Sequence, residues 1–114
     1  QEQAGGSTLV TGVTVARTDF LKAEPEAVTT FLYEHEESAL AVTENLDEAS
    51  QLVADLGIIE KAPVAKKAIP YCNITCLTGE EMKAALSGYL QVLYDQDPSS
   101  VGGNLPGEDF YYIP

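Results

Sequence analysis

One stretch near the N-terminus sets the strongest condition on how this chain can fold. From Thr8 to Ala16 it reads Thr-Leu-Val-Thr-Gly-Val-Thr-Val-Ala, rich in β-branched residues. Such side chains are stiff at χ1 and fit a pleated surface. As a strand the stretch puts Leu9, Thr11, Val13 and Val15 on one face and Val10, Gly12, Thr14 and Ala16 on the other. Both faces are largely apolar, which predicts a strand buried on both sides, the habit of an α/β sheet. Gly12 inside it marks either a bulge or a close approach of ligand or backbone. A strand needs neighbours, and the sequence offers at most one more short candidate, Asn73 to Leu77. The expectation is therefore that the rest of the sheet lies outside this sequence.

Helix signals dominate elsewhere. Asp19 to Ala23 can form a helical turn, and Glu24-Pro25 then restarts the chain with Pro25 at a first helical position. Val28, Phe31, Leu32, His35, Ala39 and Val42 follow at spacings of three or four, the stripe of an amphipathic helix. Asn45 with Glu48 predicts a capping box for the next helix, whose inner side is Ala49, Leu52, Val53 and Leu56 and whose end is Gly57. Pro63 opens a short helix that Pro70 limits. Thr78 and Glu81 predict a second capping box, starting a helix that carries Met82, Ala85, Leu86, Tyr89, Leu90 and Leu93 inward. Residues 1–7 read as a flexible lead-in and 98–114 as an irregular tail.

The chain of 114 residues, 45% of them hydrophobic, has material for one small domain and one modest core. Its start at Gln1 and its aromatic ending, Phe110, Tyr111 and Tyr112, are read as marks of a piece cut from a longer protein. A formal net charge of −12 disfavours nucleic acid and anionic membranes, both of which are bound through Lys and Arg. No apolar run approaches the ~20 residues of a membrane-spanning helix.

Catalytic constellations are not found. His35 is the only histidine, and Glu34 and Glu36 beside it would point elsewhere on a helix. Cys72 and Cys76 have the wrong spacing for a thioredoxin-like site and too few companions for zinc. On a strand they would be ~13 Å apart, too far for a disulfide, whereas on a helix or in a turn they could approach one another. Buried free thiols are the expectation, since Cys behaves as a small hydrophobe in cores. Asp95, Asp97, Glu108 and Asp109 lack the spacing of a calcium loop. The reading is of a protein that is not an enzyme and uses no metal or cofactor.

Several stretches together resemble a known family. Leu9-Val10-Thr11-Gly12-Val13 leads to Arg17-x-Asp19-Phe20, then Pro25-Glu26-Ala27-Val28, Phe31-Leu32, Asn45-x-Asp47-Glu48-Ala49 and Leu56-Gly57-Ile58. This order is similar to the C-terminal part of substrate-binding proteins of ABC transporters, in the branch of nitrate, sulfonate, taurine and thiamine-precursor binders. Ala68 to Ile74, Leu86 to Gln96 and the ending Asp109-Phe110-Tyr111-Tyr112 resemble members from anaerobic Gram-positive bacteria. Leu46 departs from the family, which usually has Pro after the capping Asn.

The resemblance implies a two-lobed, type II periplasmic-binding-protein fold, of which residues 1–114 would be a single partial domain: a helix-rich α/β piece with one or two strands and about four helices. It implies a solute-binding component of an ABC import system, binding a small molecule without converting it and delivering it to a membrane permease. The location implied is extracytoplasmic, as a cell-surface lipoprotein of a Gram-positive bacterium. Thr11 and Gly12, where the chain returns from the hinge, are the candidate ligand contacts; a crowded strand is the competing explanation for both. Uncovered apolar surface predicts self-association. The alternative function is a stand-alone helical protein–protein interaction module, pairing through the Val28/Phe31/Leu32 or the Leu86/Tyr89/Leu93 stripe. An enzyme of the precursor-synthesis type would need a histidine-bearing active site that this stretch lacks.

Overall fold

Proline, glycine and apolar spacing divide this chain into helices at the positions the sequence marks. A computed structural model describes residues 3–4 and 7–114. Among the described residues it is helix-rich, with five α-helices and almost no strand. Two short strands, β1 (Gln3–Ala4) and β2 (Ser7–Thr8), precede α1 (Thr18–Ala23), α2 (Pro25–Glu44), α3 (Leu46–Asp55), α4 (Ala62–Ala68) and α5 (Gly79–Gln96). Short 3₁₀ turns cover Ile69–Tyr71, Pro98–Val101 and Glu108–Phe110. The chain divides into two units, one of residues 24–76 and one of residues 1–23 with 77–114. Among the described residues no helix is long and apolar enough to cross a membrane.

In the unit of residues 24–76, α2 begins with Pro25, whose missing N–H costs nothing in the first turn. Asn45 alone joins α2 to α3: its N–H donates to the Ala41 carbonyl at 2.8 Å and its own carbonyl accepts from the Ala49 N–H at 2.9 Å. Its ψ of 57° is not the extended value of a capping residue, and its side chain makes no cap hydrogen bond. The expected capping box is therefore absent, because one residue serves two helices with no loop between them.

The end of α3 does follow its sequence signal. Gly57 sits at φ 76°, its N–H donates to the Ala54 carbonyl at 3.0 Å, and the Ile58 N–H donates to the Val53 carbonyl at 3.0 Å. These are the two hydrogen bonds of a Schellman motif, which satisfies carbonyls the helix would otherwise leave bare. The returning α4 packs against α3, and the turn Ile69–Tyr71 meets α2. The buried residues among those described all lie in this unit: Val28, Ser50, Ala65 and Ile69. Ser50 is satisfied there, since its hydroxyl donates to the Leu46 carbonyl at 2.6 Å.

In the unit of residues 1–23 and 77–114, β1 pairs antiparallel with β2, Gln3 opposite Thr8 and Ala4 opposite Ser7, and β2 packs on α5. The expected lead-in thus holds a short ladder; its residues 1, 2, 5 and 6 lie outside the described ones. Helix α5 starts after an extended Thr78, but Gly79 takes φ 62° and Thr78 makes no side-chain cap bond. A left-handed first residue turns the next amides out of the capping geometry, so the second capping box is also absent. Met82, Ala85, Leu86, Tyr89, Leu90 and Leu93 are half-buried as a stripe, none of them fully. The tail carries the 3₁₀ turns Pro98–Val101 and Glu108–Phe110 and is tied back by a Lys83–Glu108 ion pair and by Ser100, whose hydroxyl donates to the Leu93 carbonyl at 3.2 Å.

Neither expected strand forms. Residues 9–17 and 73–78 have no regular secondary structure. Among the described residues, 10–16 take part in no backbone hydrogen bond. Val13 and Val15 are 60% and 81% exposed, where burial on both faces was expected. The physical reason is the missing neighbour, since a strand is held by its ladder and by what covers its faces.

Candidate functional site

The candidate contacts Thr11 and Gly12 lie in this unladdered stretch, both exposed. Among the described residues a Cβ at Gly12 would meet nothing within 4 Å, so that side of its backbone is uncrowded. The two residues are accessible, but no other polar group of the chain hydrogen-bonds them among the described residues.

His35 projects from α2 into solvent and stacks on Phe31, one turn earlier, with ring centroids 5.2 Å apart and planes 15° from parallel. Spacing of four residues on a helix produces this contact. Phe31 itself remains 46% exposed, so the stripe it belongs to is covered only in part.

The two cysteines are free, as expected, but Cys72 is exposed and Cys76 half-buried rather than both buried. Cys72 follows the turn Ile69–Tyr71, where its thiol lies 3.5 Å from the Ala68 carbonyl. Asn73 next to it adopts φ 53°, a left-handed conformation that asparagine tolerates. Ile74, Thr75 and Cys76 then line a cleft of about 90 Å³ with Glu36, Ala39, Leu40 and Thr43. Burial, and secondarily the Glu36 carboxylate, raise the Cys76 thiol above its ordinary pKa. A thiol so placed is a poor nucleophile. The cleft is also far below the roughly 300 Å³ at which small-molecule sites begin.

This juxtaposition was not foreseen. Glu36, Ala39, Leu40 and Thr43 fall at helical spacing, so their common face was legible. That residues 74–76 cover it is a contact between segments far apart in sequence, which no local pattern announces. A wider hollow of about 410 Å³ lies over Pro25, Glu26, Thr29 and Thr30, but its lining is a single helix face with no opposing wall. Among the described residues no group of three or more His, Cys, Asp or Glu could hold a metal ion.

Among the described residues many large apolar side chains are exposed. Leu52 at 53%, Leu56 at 75% and Ile58 at 70% are exposed on and just after α3. In the other unit Leu9, Val13, Val15, Phe20, Phe110 and Ile113 are exposed. Comparison with protein-family models, with curated proteins and with solved structures finds no match to this chain.

Proposed function

We propose that this chain is the C-terminal part of an extracytoplasmic solute-binding protein of an ABC importer. Such a protein holds a small molecule without converting it and presents it to a membrane permease. The observation that carries the reading is residues 10–16, which have the composition of a doubly buried strand and no ladder. A chain that supplies one strand to a sheet built from other residues would have this property, and it would leave the apolar faces of its helices uncovered as well. The family resemblance supplies the identity of the missing sheet: the α/β lobe of a type II binding protein. Thr11 and Gly12 then lie where a strand meets the cleft, and their accessibility is what a contact with ligand requires.

The test is to isolate the product of the parent gene from its own host and measure its intact mass. A product of roughly 30 to 35 kDa, the size of two domains, followed by a saturable rise in melting temperature with a small anionic or heteroaromatic solute, is the expected result. A native product of the present length, with no such rise, refutes the reading.

The second reading, a helical protein–protein interaction module, is favoured by one specific observation. Leu52 and Leu56 stand one turn apart on the exposed side of α3, the arrangement by which a helix meets a groove. It predicts that Leu56→Ala weakens capture of a partner by the native-length product while leaving its own stability unchanged.

A further inference from the structure

From Gln3 to Ala16 the sequence carries no charged residue, the longest such run in a chain of net charge −12. Two copies of this protein repel one another over most of their surface, and this run is where that repulsion is weakest. The same run contains the backbone groups of residues 10–16, which make no hydrogen bond among the described residues. Residues 11–16 are exposed, and Val10 is half-buried. Exposed strand-forming backbone without a ladder is a template for pairing with another chain.

The geometry points to a second copy of this chain as the occupant, paired antiparallel through residues 10–14 about a two-fold axis at Gly12. In that register Val13 lies opposite Thr11 and Thr14 opposite Val10. Gly12 faces its own counterpart. Every apolar side chain of one face then has an apolar or threonine neighbour on the same face, the cross-strand contact that stabilises a ladder. Residues 10–14 carry no charge, so no like charges are opposed. The open space around Gly12 allows the close approach that a Gly–Gly pair permits. A two-fold pairing is isologous, so one such ladder joins two copies. This inference concerns the chain by itself and does not depend on the transport reading; in a longer protein the same backbone would be occupied by its own sheet.

The experiment is light scattering coupled to size exclusion on the full 114-residue chain at up to about 1 mM, where even millimolar affinity is seen, with Cys72→Ser and Cys76→Ser as background. A dimer is expected. The double substitution Gly12→Pro with Val13→Pro removes a partner-facing amide whichever of the two neighbours faces the partner, and at least a tenfold weaker association is expected. Residues 10–16 make no hydrogen bond to lose, so the helical circular dichroism stays unchanged. Oxidation then reads the register. Gly12→Cys places two thiols directly opposite, within disulfide reach, whereas Val15→Cys leaves them roughly 20 Å apart along the ladder. Rapid cross-linking of the first and not the second is expected. A monomer at the highest concentration overturns the inference. So does a dimer that survives the proline pair, or one in which Val15→Cys cross-links as fast as Gly12→Cys.

Discussion

Gly57→Ala isolates the contribution of one backbone conformation to the helical unit. Gly57 follows α3 at φ 76°, and a Cβ built there meets no atom within 4 Å. Any loss of stability therefore comes from the left-handed backbone and not from a clash. That conformation costs an L-residue roughly 1–2 kcal/mol. Alanine also restricts the unfolded chain, which returns about 0.4–1 kcal/mol. The net expectation is a loss of about 1 kcal/mol. With a urea dependence of about 2 kcal/mol per molar for a protein this size, the midpoint falls by about 0.5 M at unchanged slope. The assay is urea unfolding followed by far-ultraviolet circular dichroism. Gly57→Asn recovers part of the loss, because asparagine tolerates the left-handed region. Gly12→Ala is the control: it too has open space, and its φ is not positive, so the midpoint holds or rises slightly. A Gly57→Ala midpoint equal to or above that of the parent would refute the argument, as would Asn performing no better than Ala.

Three further outcomes follow from particular residues. Ile69 is 6% exposed in a core of few residues, so Ile69→Ala lowers stability by about 2–5 kcal/mol, measured in the same titration. Cys76, with its thiol pKa raised by burial and by Glu36, reacts with a thiol reagent more slowly than exposed Cys72, and Glu36→Gln speeds the reaction; equal rates at pH 8 count against this. Asp97 accepts hydrogen bonds from the Ser99 hydroxyl at 2.8 Å and the Ser99 amide at 3.1 Å, which lower its pKa. A depressed carboxylate stabilises the folded turn above its unfolded pKa, about 3.9, and that contribution is lost as pH falls through the folded value. The Ser99 amide resonance should therefore titrate below the usual aspartate range, and an unshifted midpoint would be the contrary result.

Local signals carried the helices well. Pro25 opens α2, Gly57 closes α3, and Pro70 stands in the turn where α4 ends, because these residues act through their own backbone geometry and need no distant partner. The capping boxes failed for the opposite reason. They require a side chain aimed at particular amides, and the single-residue joint at Asn45 and the left-handed Gly79 re-aim those amides. The candidate site was legible as residue types only. Thr11 and Gly12 are where the composition of a strand is, but without a neighbour that composition makes no ladder.

By itself, then, the sequence determined where this chain turns into helix and stops, how acidic it is, and which residues are apolar enough to want cover. Those are properties of single residues and of neighbours within one helical turn. Only the tertiary structure decided which apolar residues receive cover: Val28, Ala65 and Ile69 are buried, while Leu56, Val13 and Val15 stand in water. It also decided that Cys76 shares a cleft with Glu36. Burial and strand pairing depend on residues far away in sequence, and a stretch made for a ladder forms one only where a second strand is brought alongside.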